Sequence, residues 1–149
     1  MVMQMTETER RMTNSFVISP PNFIMPTVLI VEDDTDNRLL LKIWLEMCNY
    51  CVIEAADGNE ALNLAEESCP DLILMDVRMP LLDGLETTRV IRRSAKTGSV
   101  PIIFTSGCAE AKYREAATEA GANDYFVKPF DFDKLQSAIA GHITVNQIS

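Results

Sequence analysis

The sequence predicts an α/β domain, a five-stranded parallel sheet with helices on both faces. Three observations carry that prediction. Apolar runs that read as strands alternate with stretches of helical period, joined by short connections. Leu72 to Met75 is an unbroken apolar run that stops at Asp76, as a strand covered on both faces does where it leaves its sheet. Thr27 to Val31 behaves the same way and runs into Glu32-Asp33-Asp34.

In chain order, the first strand is Thr27 to Glu32. A helix over about Asp36 to Cys48 comes next, with Leu39, Leu40, Ile43, Trp44 and Met47 spaced along one face and Arg38, Lys42 and Glu46 elsewhere. That spacing predicts that this face is buried and that Trp44 belongs to the core. The second strand is Cys51 to Ala55. Asp57-Gly-Asn-Glu60 then has the form of a capping box and opens the second helix, and Asp83-Gly-Leu-Glu86 opens the third, which ends near Arg93. The acids of both boxes are therefore read as caps. Asp71 to Asp76, Val100 to Thr105 and Asp124 to Val127 are the remaining strands. A fourth helix over about Ala109 to Ala120 is expected to stop at Gly121, and a fifth to run from the cap Asp131 to about Gly141.

Residues 1–26 differ in character from the rest of the chain. They hold five of the eight methionines and three of the seven prolines, with no clear period. Two readings stay open: a flexible leader (or a start codon placed too early), and an arm whose apolar patches, Phe16-Val-Ile18 and Phe23-Ile-Met25, dock on the domain or on a second copy. The division expected is an N-terminal extension over 1–26, one domain over 27–141 and a short tail over 142–149.

A hydrophobic fraction of 47% and a charged fraction of 23% are those of a soluble globular protein. The net charge of −9 gives a polyanion no attraction, which argues against direct nucleic-acid binding. No apolar run is long enough to span a bilayer and no secretory signal opens the chain, so a cytoplasmic protein with reduced thiols is expected.

Four of the five strands end in a group suited to phosphate or metal: Glu32 and Asp33, Asp76, Thr105, and Lys128. Chemistry in open α/β sheets collects at the carboxyl ends of strands. Carboxylates brought within a few ångströms repel unless one holds a proton or a cation intervenes. Mg²⁺ takes oxygen ligands, commonly one or two carboxylates with a substrate phosphate, and this inventory fits it.

Four segments in order, Val-Leu-Ile-Val-Glu-Asp-Asp, Leu-Ile-Leu-Met-Asp-Val-Arg-Met-Pro-Leu-Leu-Asp-Gly, Pro-Ile-Ile-Phe-Thr-Ser and Gly-Ala-Asn-Asp-Tyr-Phe-Val-Lys-Pro-Phe, resemble the receiver domains of two-component response regulators over about residues 27 to 141. The resemblance implies a doubly wound, flavodoxin-like sheet of order 2-1-3-4-5. It implies Asp76 as phospho-acceptor from phosphohistidine, Mg²⁺ or Mn²⁺ held by Glu32, Asp33, Asp76 and the Arg78 backbone carbonyl, and Thr105 and Lys128 as phosphoryl-binding groups. Tyr125 takes the place of a switch aromatic that turns inward after phosphorylation, and Lys128 precedes Pro129 where the family keeps a cis peptide. The implied role is a stand-alone phospho-acceptor, not an enzyme in the ordinary sense. Its donor is a histidine kinase or a histidine phosphotransfer protein, its output a downstream protein target, and homodimerisation stays open. Glu32 departs from the aspartate often found first in the acidic pair. Ser106 departs from the very small residue usual after Thr105, which bears on the lifetime of the phosphoryl state.

Rival readings fare worse. Cys48-Asn-Tyr-Cys51 is a C-x-x-C, but it would close a helix instead of opening one, the wrong end for a low thiol pKa. His142, the sole histidine, reads as a surface residue. A flavin carrier of this fold would want a phosphate loop where Glu32-Asp33-Asp34 stand. A haloacid-dehalogenase-like phosphatase needs an acid where Arg78 stands, and a pseudo-receiver would lack Asp76, Asp33 or Lys128.

Overall fold

In the computed structural model, residues 25–78 and 83–148 are described, the side chains of 144–148 excepted. The two readings of residues 1–24, and Met79 to Leu82 of the third-strand segment, lie outside the described residues. Five strands, β1 (Thr27–Val31), β2 (Cys51–Ala55), β3 (Leu72–Asp76), β4 (Ile102–Ser106) and β5 (Asp124–Val127), form one sheet. All pairings are parallel, and the order is β2-β1-β3-β4-β5. The helices between and after them are α1 (Thr35–Met47), α2 (Gly58–Ser68), α3 (Gly84–Arg93), α4 (Ala111–Ala120) and α5 (Phe132–Ile148). This is the flavodoxin-like arrangement expected.

Alternate residues of the central strands feed two cores, as the period of two in a strand requires. Leu29, Val31, Ile73, Met75, Ile102 and Phe104 face α2, α3 and α4, where Ala61, Ala65, Ile91 and Ala117 receive them. Val28, Ile30, Leu72, Leu74 and Ile103 face Leu41 and Leu45 of α1 and Leu135, Ile139 and Ile143 of α5. Each such aliphatic side chain contributes about 1.5–3 kcal/mol on burial. The sheet is thereby clamped from both sides and its upper edge held fixed.

The capping predictions hold. Asp57 Oδ1 accepts from the Glu60 amide at 2.8 Å and Asp83 Oδ1 from the Glu86 amide at 2.8 Å. Asp34 caps α1 by accepting from Asn37 N at 2.8 Å, and Gly121 ends α4 in the left-handed region at φ 114°.

Three expectations are corrected. The buried face of α1 is Leu41 and Leu45, while Leu39, Leu40, Ile43 and Met47 are 51%, 55%, 47% and 78% exposed. Trp44 is half-buried and packs edge-on against Phe132, with centroids 4.9 Å apart. Apolar residues wrap roughly two-thirds of this helix, so periodicity alone does not choose the arc the sheet covers. The strand β4 starts at Ile102, two residues late, although the Pro101 carbonyl already accepts from Ile73 N at 2.9 Å. Finally, α5 does not stop at Gly141 but continues to Ile148, because a glycine weakens a helix without ending it.

Candidate functional site

The upper edge of the sheet gathers its charges between β1 and β3, the crevice where this strand order reverses. Glu32 stands directly after the last residue of β1 and is 2% exposed. Asp76 closes β3 and is 6% exposed. One carboxylate oxygen each from Glu32, Asp33 and Asp76 lie within 4.8 Å of one another. Asp33 is exposed, so the cluster opens to solvent on one side.

Backbone anchors hold each member. The Glu32 amide donates to Ala55 O at 3.1 Å, its carbonyl accepts from Arg38 Nη1 at 2.8 Å, and its Oε2 accepts from Asp34 N at 3.2 Å. Asp76 Oδ1 accepts from Arg78 N at 3.2 Å. A Cβ added at Gly84 would collide with the Asp76 carbonyl, so the first residue of α3 must be bare for the helix to seat against the end of β3.

Lys128 reaches the acids from the far edge of the sheet. Its amide donates to Ser106 O at 2.7 Å and the Lys128–Pro129 peptide is cis. Its Nζ lies 2.8 Å from Glu32 Oε1 and 3.6 Å from Asp76 Oδ2. Thr105 stands opposite Asp76 in the register of β3 and β4 and is buried. Tyr125 is buried too, with its hydroxyl donating to Cys108 O at 2.7 Å and the Arg114 guanidinium 4.9 Å from the ring centre. Ser106 is buried, and its Oγ accepts from Cys108 N at 3.1 Å.

Two buried acids share one ammonium, and their proton affinities separate. Burial and the neighbouring Glu32 charge push the Asp76 carboxyl up to about 7, against the pull of Lys128 and the Arg78 amide. Burial also raises Glu32, but hydrogen bonds from Lys128, Asp76 and the Asp34 amide outweigh it and leave Glu32 below its ordinary value. For Lys128 burial acts downward and is overcome by Glu32 and Asp76, so its ammonium is held more firmly than usual. The set has more carboxylate than cation and offers oxygen donors only, the chemistry of a hard divalent ion such as Mg²⁺. Glu32, Asp33 and Asp76 can bind a metal.

Sequence reasoning brings Glu32, Asp33, Asp76, Thr105 and Lys128 to one edge, and the structure puts them there. Arg78 is present through its amide. Two supporting residues escape such reasoning. Helical period places Arg38 only on a polar face, and Gly84 reads only as part of a capping box, though a glycine directly after a cap is the signal of a close approach. Among the described residues, no second group of His, Cys, Asp or Glu side chains has metal-binding proximity. Cys48, Cys51, Cys69 and Cys108 are free thiols.

With the geometry in view, the comparisons with known proteins agree. The family model of the response regulator receiver domain matches residues 28–140, so the chain belongs to that family of two-component signalling domains. A probable transcriptional regulator of Guillardia theta is 41% identical over 112 residues, covering 75% of this chain and 43% of that protein. The transcriptional regulatory protein PrrA of Mycobacterium tuberculosis is 40% identical over 114 residues, covering 76% of this chain and 48% of that protein. The chain therefore spans about half the length of the curated relatives it matches. The receiver domain of a sensor histidine kinase from Pseudomonas aeruginosa, solved with magnesium in its active-site cleft, superposes with a TM-score of 0.76. It is 38% identical, covering 81% of this chain and 99% of that one. Receiver domains accept phosphoryl groups from histidine kinases or phosphotransfer proteins, and are not enzymes in the ordinary sense. No described helix is long and apolar enough to cross a membrane.

Proposed function

We propose that this domain accepts a phosphoryl group on Asp76 from a phosphohistidine, assisted by Mg²⁺, and thereby switches a protein-binding surface. The observation that carries the reading is the meeting of Glu32, Asp33 and Asp76 within 4.8 Å, with the Lys128 ammonium 2.8 Å from Glu32 and 3.6 Å from Asp76. An Asp76 carboxylate oxygen attacks phosphorus, a P–O bond forms, the P–N bond breaks, and its electron pair returns to the donor imidazole. Lys128, and the hydroxyl of Thr105 on the neighbouring strand, would receive the charge on the phosphoryl oxygens. Glu32, Asp33, Asp76 and the Arg78 carbonyl would hold the metal ion. When bound, it neutralises the approaching phosphoryl group and the surplus carboxylate charge.

Tyr125, on β5 and beside Arg114 of α4, reports the switch to a downstream protein. Its buried hydroxyl and the Cys108 carbonyl tie the β4–α4 loop to β5, so a phosphoryl group drawing on Thr105 pulls the same loop. Direct binding to nucleic acid is not part of this role, since the net charge of −9 would repel a phosphate backbone. Reduced thiols and a histidine kinase donor both suit the cytoplasm.

The test is intact mass after incubation with acetyl phosphate and Mg²⁺. One added phosphoryl group is expected on the native chain, none when Mg²⁺ is chelated, and none on Asp76→Asn. An unchanged native mass would leave a pure interaction module; persistent labelling of Asp76→Asn would move the acceptor elsewhere.

A further inference from the structure

We propose that Arg38 is a positioning residue for the metal: it holds the peptide that joins Glu32 to Asp33, and Glu54 on the outer strand aims it. The inference rests on the reading of Glu32, Asp33 and Asp76 as metal ligands, and names what keeps two of them in place. Arg38 Nη1 donates to the Glu32 carbonyl at 2.8 Å, and Nε of the same guanidinium lies 3.4 Å from Glu54 Oε1. The Glu32 carbonyl and the Asp33 amide share one planar unit. Arg38 therefore fixes the peptide that stands between the two acids.

The neighbouring peptides have their own anchors. The Glu32 amide, in the preceding peptide, donates to Ala55 O at 3.1 Å, and the Asp34 amide, in the following one, donates to Glu32 Oε2 at 3.2 Å. The peptide between them is held through Arg38. Asp33 is exposed, so packing does not seat its carboxylate and its place follows from the backbone beneath it.

The guanidinium stands where a cation has reason not to be. Arg38 is the fourth residue of α1, near the positive end of the helix dipole, and its side chain is only 18% exposed. Glu54 offsets both costs. It lies beside Ile30 in the register of β1 and β2, and Ile30 faces α1, so the Glu54 carboxylate is on the side of the sheet that α1 covers. A planar guanidinium can engage a carbonyl and a carboxylate through two nitrogens at a fixed angle, which an ammonium cannot do. Lys42, one turn further along α1, meets Glu54 at 3.7 Å and serves as the comparison.

Charge and position predict opposite signs. Taking a positive charge from beside a cation site should by itself tighten metal binding. Releasing the Glu32–Asp33 peptide should weaken it, and groups that orient metal ligands from behind are commonly worth about tenfold or more in affinity.

The experiment titrates the full chain with Mn²⁺, following the paramagnetic resonance of the free ion. Arg38→Met, which keeps the apolar stem, is expected to weaken binding about tenfold, while Lys42→Met, which removes the same charge, leaves it unchanged or slightly tighter. Glu54→Gln, a milder change should Arg38→Met fold poorly, is expected to cost about twofold alone and nothing further in the Arg38→Met chain. Without metal, the ¹⁵N order parameter of the Asp33 amide should fall in Arg38→Met from the rigid range, about 0.85, toward the flexible one, below about 0.6, and hold in Lys42→Met. A native chain that does not bind Mn²⁺ would remove the metal site itself, and this proposal with it. Native binding with an unchanged or tighter constant in Arg38→Met overturns the positioning role alone. Weakened binding with a rigid Asp33 amide overturns it too, since the loss would not then come through that peptide.

Discussion

The same chemical pair, a lysine against a glutamate, occurs at two places with different surroundings. Lys42 lies 3.7 Å from Glu54 on the surface, each side chain 36% exposed. Lys128 lies 2.8 Å from Glu32, which is 2% exposed, and 3.6 Å from Asp76. Water screens the first pair, and such contacts contribute little. Burial makes the second pair indispensable to its neighbours, since removing one partner strands charge in a poor solvent. The contrast separates a solvated decoration from a tuned site.

Breaking the buried pair should have the largest effect. Lys128→Ala leaves two buried acids without their ammonium and is expected to cost about 3 kcal/mol in urea unfolding at pH 8 without metal. The loss should shrink on acidification, as the acids take up protons, or on adding Mg²⁺.

Asp76→Asn sharpens the same point with the opposite sign. A carboxyl raised from 3.8 to about 7 binds its proton more tightly in the folded state. Its stabilising contribution is therefore complete below about pH 4 and lost as pH rises through 7. The amide has no such loss. In metal-free buffer at pH 8, Asp76→Asn should exceed the native protein in stability by on the order of 2 kcal/mol, and the gap should close toward acid pH. A constant gap across that range would mean that Asp76 does not titrate there.

The smallest effect belongs to the surface pair. Lys42→Ala should change unfolding by no more than about 0.5 kcal/mol, and any change should vanish in high salt. A loss comparable to that of Lys128→Ala would erase the distinction between the two pairs.

The same physics decides how much of the molecule is legible in its sequence. A charge that ends an apolar strand run has few explanations, so Glu32, Asp76 and Lys128 can be read directly, and the resemblance carried by the four segments supplies the strand order. Helix α1 offers no such punctuation. Leu39, Leu40, Leu41, Ile43, Trp44, Leu45 and Met47 all satisfy a helical period, and only the position of the sheet selects Leu41 and Leu45. Gly84 is obscure for a related reason, since its role depends on how closely α3 approaches the Asp76 carbonyl. Gly141 misleads because a glycine marks a helix end only when the backbone there turns left-handed, as it does at Gly121.

Lys128 is also a mechanical link. It is rooted beside β5 through its amide on Ser106, yet its ammonium rests on an acid two strands beyond β4. Its chain neighbours Phe130 and Phe132 stack edge to face, and Phe132 leans on Trp44 of α1. A group that draws the ammonium off Glu32 therefore acts on a residue whose chain runs straight into the aromatic contact between the first and last helices.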